Sequence, residues 1–247
     1  MNEENKKKVI QTFWEKQDHP NHSKQHEGEI WFRRFYDEIE FLLKDCKKGS
    51  ILDMGFGSGD FLKYMSADYE RVVGFDFSPA MCEKAKQLAE QLQLSNVTIY
   101  NGNVVNVDEV VKGEKFDCIV SFGVFQYITA AEAKISIEKA SKLLKENGCI
   151  YILGIPDANM KVMHDIGVFH FAKNTKFSFR GMMKAILRLK YHEVKNSKQL
   201  KPKIDSFGYW HWRAEYREIA DSLGLKYQIV NSIYEPYGYR FNIKLWN

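Results

Sequence analysis

Between Glu27 and Lys44, Ile30, Trp31, Phe35, Ile39, Leu42 and Leu43 recur at three- and four-residue steps. That spacing predicts an amphipathic helix ahead of the first strand. An alternation follows: apolar Ser50–Asp53, a Gly-rich turn, helical Gly59–Ala67, apolar Arg71–Phe75, helical Pro79–Leu92 and apolar Val97–Tyr100. Strand and helix in strict turn predict parallel βαβ units. A fourth strand is expected over Phe116–Ser121, a helix over Ala130–Leu144 closed by Asn147-Gly148, and a fifth strand over Cys149–Gly154. The central strands are continuous apolar runs, as required where helices cover both faces of a sheet. After Pro156 the alternation stops for about fifty residues and resumes with helical Arg213–Leu223 and strands at Leu225–Val230 and Gly238–Trp246. The last two strands lie too close for a helical crossover and should pair antiparallel.

A length of 247 residues bounds the fold to one domain with an insertion. With 45% apolar and 14% aromatic residues, the chain can bury a core large enough to offset its ordering entropy. The net charge of +4 hides a split. Residues 158–203 hold 11 Lys and Arg against Asp165 and Glu193, a local +9 that leaves −5 on the remainder. Cys46, Cys82, Cys118 and Cys149 form no Cys-x-x-Cys pair, so reduced thiols and a cytoplasmic location are expected. No apolar run approaches the ~18–20 residues that span a bilayer, and neither export nor membrane insertion is expected.

The strongest chemical signal is Leu52-Asp-Met-Gly-Phe-Gly-Ser-Gly-Asp-Phe61, in which Gly55, Gly57 and Gly59 join a buried strand to a helix. Glycines are needed where backbone turns tightly and approaches a ligand. A nicotinamide or flavin loop spaces its glycines G-x-G-x-x-G, whereas here the third glycine comes one residue early and Asp60 follows it. Asp53, just before the loop, suits a cationic amino group better than a pyrophosphate. In Val72-Val-Gly-Phe-Asp76-Phe-Ser-Pro-Ala-Met81 a carboxylate ends the second strand, where it can accept hydrogen bonds from ribose hydroxyls. Taken singly, the glycines could be an ordinary turn and Asp76 a helix cap.

In combination these motifs resemble the class I S-adenosylmethionine-dependent methyltransferases, over roughly Ser50–Gly154 and the final hairpin. The resemblance implies an α/β, Rossmann-like fold with a seven-stranded sheet in the order 3-2-1-4-5-7-6, strand 7 antiparallel and helices on both faces. It implies one methyltransferase domain: a helical lead-in and lid over 1–48, a cofactor-binding core over 49–156, a basic substrate-binding insertion over 157–208, and a C-terminal helix and hairpin over 209–247. The implied cofactor is S-adenosyl-L-methionine. Asp53, Gly55, Gly57 and Gly59 would hold its methionine portion, Asp76 the ribose, and Phe77 and Met81 one adenine face. Asn103 and Val104 would meet the adenine edge, and Phe122 and Gln126 would line the side near the reactive methyl. The family usually has an acidic residue where Asn103 stands; the amide oxygen can still accept from the adenine amino group.

Methyl transfer from a sulfonium needs no metal, and none is expected; His19, His22 and His26 are split by Pro20 and read as a solvated or lid loop. An alcohol acceptor benefits from a general base worth roughly 10²–10⁴ in rate. His211, in Tyr209-Trp-His-Trp212, and His170, in the insertion, are the candidates for it. No Asn/Asp-Pro-Pro-aromatic follows strand 4 and no Pro-Cys occurs, which disfavours methylation of nucleic-acid bases. The ending Leu223–Phe241 loosely resembles sugar O-methyltransferases of bacterial surface-polysaccharide (capsular) pathways. The leading expectation is therefore O-methylation of a small, anionic, sugar-like partner, with no nucleic acid and an oligomeric state left open. The alternatives are N-methylation of a small amine, or a nucleic-acid-binding protein that holds the cofactor without chemistry. The basic, amphipathic Phe177–Leu189 also admits a lipid-linked substrate.

Overall fold

Seven strands form one sheet in the order β3-β2-β1-β4-β5-β7-β6. They are β1 (Ser50–Met54), β2 (Arg71–Asp76), β3 (Val97–Asn101), β4 (Phe116–Phe122), β5 (Leu144–Pro156), β6 (Lys226–Asn231) and β7 (Arg240–Trp246). β1 to β5 run parallel, and β7 inserts antiparallel between β5 and β6. This is the expected topology. The computed structural model describes residues 36–37, 39–44, 46–165, 208–232 and 238–247. His170, His19, His22, His26, the Phe177–Leu189 segment and most of the basic insertion lie outside them.

β1 is buried along its whole length and β4 up to Ser121, so alternate residues feed two separate cores. Leu52, Met54, Val73, Phe75, Ile119, Ile150 and Ile243 pack on one face, beneath helices α4 (Ala130–Ser141) and α6 (Arg213–Ser222). Ile51, Val72, Cys118, Val120 and Leu153 pack on the other, beneath α1 (Leu62–Asp68), α2 (Pro79–Gln91) and the lead-in helix at Tyr36, Ile39 and Leu43. Two short helices, α3 (Val107–Val110) and α5 (Lys161–Asp165), complete the described set. Ser78 and Pro79 start α2, and Thr129 and Glu132 cap α4 reciprocally.

Two expectations are corrected. The helix expected to reach Leu144 and close at Asn147-Gly148 stops at Ser141, and β5 begins at Leu144. Asn147, at φ +63°, and Gly148 instead form an irregularity within β5, where the register against β4 shifts. A Cβ on Gly148 would stand 3.0–3.1 Å from the carbonyl oxygens of Phe116, Asp117 and Lys145, so glycine is required by a close backbone approach and not by a helix end. The cysteines are likewise not all free: Cys46 and Cys149, 103 residues apart, are paired as a disulfide, while Cys82 and Cys118 are free and buried. Sequence spacing conceals this pairing because the lead-in and β5 meet only in the folded sheet.

At the amino end of the sheet Asp117 locks β1, β4 and β5 together. Its buried carboxylate accepts from the Ser50 amide at 2.8 Å, the Ser50 hydroxyl at 2.9 Å and the Lys145 ammonium at 2.8 Å. Burial alone would raise its pKa, but these donors outweigh it and bring it down to about 2. A depressed carboxylate stabilises the fold above its unfolded pKa near 4, and that contribution fades as pH falls toward 2. Asp117→Asn should therefore cost about 1–2 kcal/mol at pH 7 and nearly nothing at pH 2. Chemical denaturation at several pH values checks this; an equal deficit at both ends would mean that Asp117 acts by shape alone.

Candidate cofactor and acceptor site

The Gly-rich loop leaves the carboxyl end of β1 and is built on positive φ angles: +91° at Gly55, +61° at Gly57 and +85° at Gly59. The amides of Gly55 and Phe56 donate to the Phe75 carbonyl at 2.8 and 3.3 Å, which pins the loop to β2. At Gly59 an added Cβ would stand 3.0 Å from Ala85 of α2, so a small residue is needed for helix packing there. At Gly57 a Cβ would meet nothing within 4 Å. The loop therefore curves around open space.

Two carboxylates face this loop. Asp76, at the end of β2, accepts from the Gly57 amide at 2.9 Å and the Ser78 amide at 2.9 Å. Burial raises its pKa, and the backbone donors partly offset that. Asp53 is 3% exposed, and its carboxyl receives no hydrogen bond from a described residue. Burial, with the Asp76 charge second, pushes its pKa up to about 7. A buried carboxylate without a protein donor is costly unless a ligand supplies a cation. Asp53 and Asp76 beside an open glycine cradle therefore fit the ammonium and ribose of S-adenosylmethionine.

The remaining expected contacts fall around the same edge. Phe77 follows Asp76 at the sheet edge, and Met81 is buried in the first turn of α2. Asn103 is exposed, and its amide oxygen accepts from the Val105 amide at 3.0 Å, capping a short turn whose first residue, Val104, is buried. Asn101 was not singled out by the sequence, yet its amide donates to the carbonyls of Asp76 at 2.9 Å and Phe77 at 3.1 Å. It shapes the strand end that presents the Asp76 carboxylate. The signal is the first Asn of Asn101-Gly-Asn103, at the end of β3.

On the far side, Phe122 ends β4, its ring edge-on to Phe61. The Gln126 amide donates to the Gly123 carbonyl at 2.6 Å and accepts from Arg240 at 3.1 Å, and Arg240 also donates to the Gly154 carbonyl at 2.9 Å. Arg240 thus ties β7 to the loop after β4, a link between residues 114 positions apart. Around it stand Tyr239, Trp210 and His164, their ring centroids 4.5–5.6 Å apart, with the Lys161 ammonium over Trp210.

His211 sits in a packed corner beside β5. It is 2% exposed, its Nε2 lies 2.8 Å from the Phe125 carbonyl, and its ring packs edge-on against Tyr216. A carbonyl can only accept, so Nε2 carries the proton, and Nδ1 faces Glu215 at 3.8 Å. Its backbone extends the sheet edge past β5, with Ala158 and Pro156 as hydrogen-bond partners at 2.9 Å. In this arrangement a general-base role for His211 would require release of its Phe125 or Glu215 contact. Asp157 beside it is also engaged, with Arg213 at 2.6 Å.

The model of a family described as methyltransferase domain matches residues 51–148, the span that holds both carboxylates and the glycine loop. Residues 51–148 are a methyltransferase domain. Similar curated proteins include an uncharacterised methyltransferase of Anoxybacillus flavithermus, 32% identical over 48% of this chain and 54% of that one. A phosphoethanolamine N-methyltransferase of Triticum aestivum is 26% identical over 46% and 22%, and a ubiquinone biosynthesis O-methyltransferase of Bartonella quintana 31% over 41% and 39%. The chain spans about half the length of the first of these and less of the others. Among solved structures, the magnesium protoporphyrin IX methyltransferase of Synechocystis with bound S-adenosylhomocysteine superposes with a TM-score of 0.62, at 13% identity and covering 97% of each chain. The chain thus shares the class I methyltransferase fold, and among the described residues no helix is long and apolar enough to cross a membrane.

Proposed function

We propose that the protein transfers a methyl group from S-adenosylmethionine to a hydroxyl of a small anionic acceptor, with a nucleotide-linked or polysaccharide-precursor sugar as the leading class. The observation that carries the cofactor half is the orphaned Asp53 carboxylate beside Asp76 at the rim of an open glycine cradle. When bound, the cofactor supplies an electrophilic methyl whose leaving group is a neutral thioether. The chain's own task is then to hold, orient and dry the acceptor, which is worth about 7–11 kcal/mol of barrier in well-aligned cases.

Lys161 and Arg240 beside the Trp210 and Tyr239 rings support an acceptor that is both anionic and flat-faced. The basic balance of residues 158–203 agrees with that reading. The wheat relative's name pairs an amine with a phosphate, which favours a second reading in which the acceptor is a phosphorylated amine.

Labelled methyl donor incubated with nucleotide sugars, phosphorylated amines and RNA tests both. Transfer to a sugar hydroxyl is expected, reduced at least ~100-fold in Asp76→Ala by loss of charge-assisted hydrogen bonds to the ribose. Transfer to the amine alone selects the second reading, and transfer to RNA alone overturns both.

A further inference from the structure

Opposite the cofactor edge, three cysteines from separate elements converge on one point. Cys46 follows the lead-in helix, Cys118 lies on β4, and Cys149 is its register partner on β5. All three are buried, and their Sγ atoms lie within 4.8 Å of one another. A tetrahedral ion with Zn–S bonds of about 2.3 Å needs its sulfurs about 3.8 Å apart, a spacing that small side-chain shifts would give this cluster.

Two further observations point to a ligand. The Tyr69 hydroxyl is buried, and its one polar neighbour among the described residues is the Cys118 thiol, too loosely placed to satisfy it. Cys149 also lines a surface cavity of about 300 Å³ together with Lys244 and Trp246, which supplies an entry path and room for a water. The Lys48 ammonium lies over the Tyr69 ring at 4.7 Å and the Lys244 ammonium over the Tyr151 ring at 5.5 Å. Two cations therefore flank the cluster.

We propose that the dithiol form of this protein binds one thiophilic d¹⁰ divalent cation of the Zn²⁺ class through Cys46, Cys118 and Cys149, with a cavity water in the fourth position. Binding converts three thiols and Zn²⁺ into a zinc tris-thiolate of charge −1 and three released protons, and Lys48 and Lys244 offset the remaining charge. The disulfide and the metal compete for the same two sulfurs. A tertiary phosphine opens the Cys46–Cys149 bond to two thiols and leaves, with the oxygen of water, as the phosphine oxide. The ion would bind the lead-in to the centre of the sheet, a role separate from methyl transfer.

The test titrates Co²⁺ into the phosphine-reduced full chain under anaerobic conditions, followed by Zn²⁺. One Co²⁺ per chain is expected, with strong thiolate charge-transfer absorption that Zn²⁺ abolishes. Cys118→Ala should weaken binding by more than the ~10–100-fold that even outer partners of a metal are worth. Cys82→Ala should leave it unchanged, because Cys82 sits at the other sheet edge against the Asp76 and Tyr100 carbonyls. Should Cys118→Ala not fold, the oxidised wild type, whose Cys46–Cys149 bond is closed, serves instead and must bind no Co²⁺. Absence of the charge-transfer band in reduced wild type, or equal binding by the oxidised protein or by a folded Cys118→Ala, overturns the assignment.

Discussion

Asp53→Asn should weaken S-adenosylhomocysteine binding by about 30- to 4,000-fold, the 2–5 kcal/mol that a desolvated charge pair loses when one partner is neutralised. It should also remove most of the pH dependence of binding. The sign follows from the raised pKa of about 7. Below pH 7 the carboxyl is protonated and must release its proton before it can pair with the ligand's ammonium. Wild-type affinity therefore falls about tenfold per pH unit below 7 and levels off above it. The ligand-free protein should respond in the opposite sense. A carboxylate whose folded pKa is raised costs stability progressively from pH 4 to pH 7, and the full cost persists above that range. At pH 8 the Asn variant should therefore be the more stable apo protein, by on the order of 1–3 kcal/mol. Calorimetric titration at pH 6, 7 and 8, beside thermal denaturation without ligand, measures both. A variant that binds as tightly as wild type, with the same pH slope, would show that the ammonium is held elsewhere.

The parts of this site that were legible in the sequence are those whose physics is local. A glycine loop between an apolar strand and a helix, with carboxylates before it and at the next strand end, has its meaning within about thirty residues, and the sheet order followed from the same alternation. His211 was not legible in this way. Its aromatic neighbours suit an exposed binding wall as well as a packed corner, and only the Phe125 carbonyl, 86 residues earlier, decides between them. Arg240 has no local signal for a similar reason: its partners, Gln126 in the turn after β4 and Gly154 on β5, are distant in sequence. Asn147-Gly148 carries the composition of a helix stop, yet here serves a strand irregularity, because both features use a positive φ and a missing Cβ. Cys46, Cys118 and Cys149 have no sequence spacing in common and meet only because β4 and β5 bring two of them level and the lead-in packs the third against them.

Gly55→Ala and Gly57→Ala should separate folding from binding within the same loop. Both positions hold positive φ, so alanine at either carries about 1–3 kcal/mol of backbone strain. At Gly55 the new Cβ would also overlap Val124, whose Cγ2 is the nearest atom. Val124 packs against the core, so relief requires either the loop or the start of the turn after β4 to move. Gly55→Ala is expected to lower both melting temperature and S-adenosylhomocysteine affinity, and Val124→Ala in the same chain should recover part of each by removing the overlapping methyl. At Gly57 the space beyond the backbone is open in the protein itself, so the stability loss should not exceed the strain. If the methionine portion of the cofactor lies in that space, the affinity loss must exceed the stability loss, by a further tenfold for each 1.4 kcal/mol of steric exclusion. Melting curves with and without ligand for the two variants read this directly. Should Gly57→Ala bind with wild-type affinity, the open side of the loop is not the ligand's side, and the cradle must be assigned to the Phe56 flank instead.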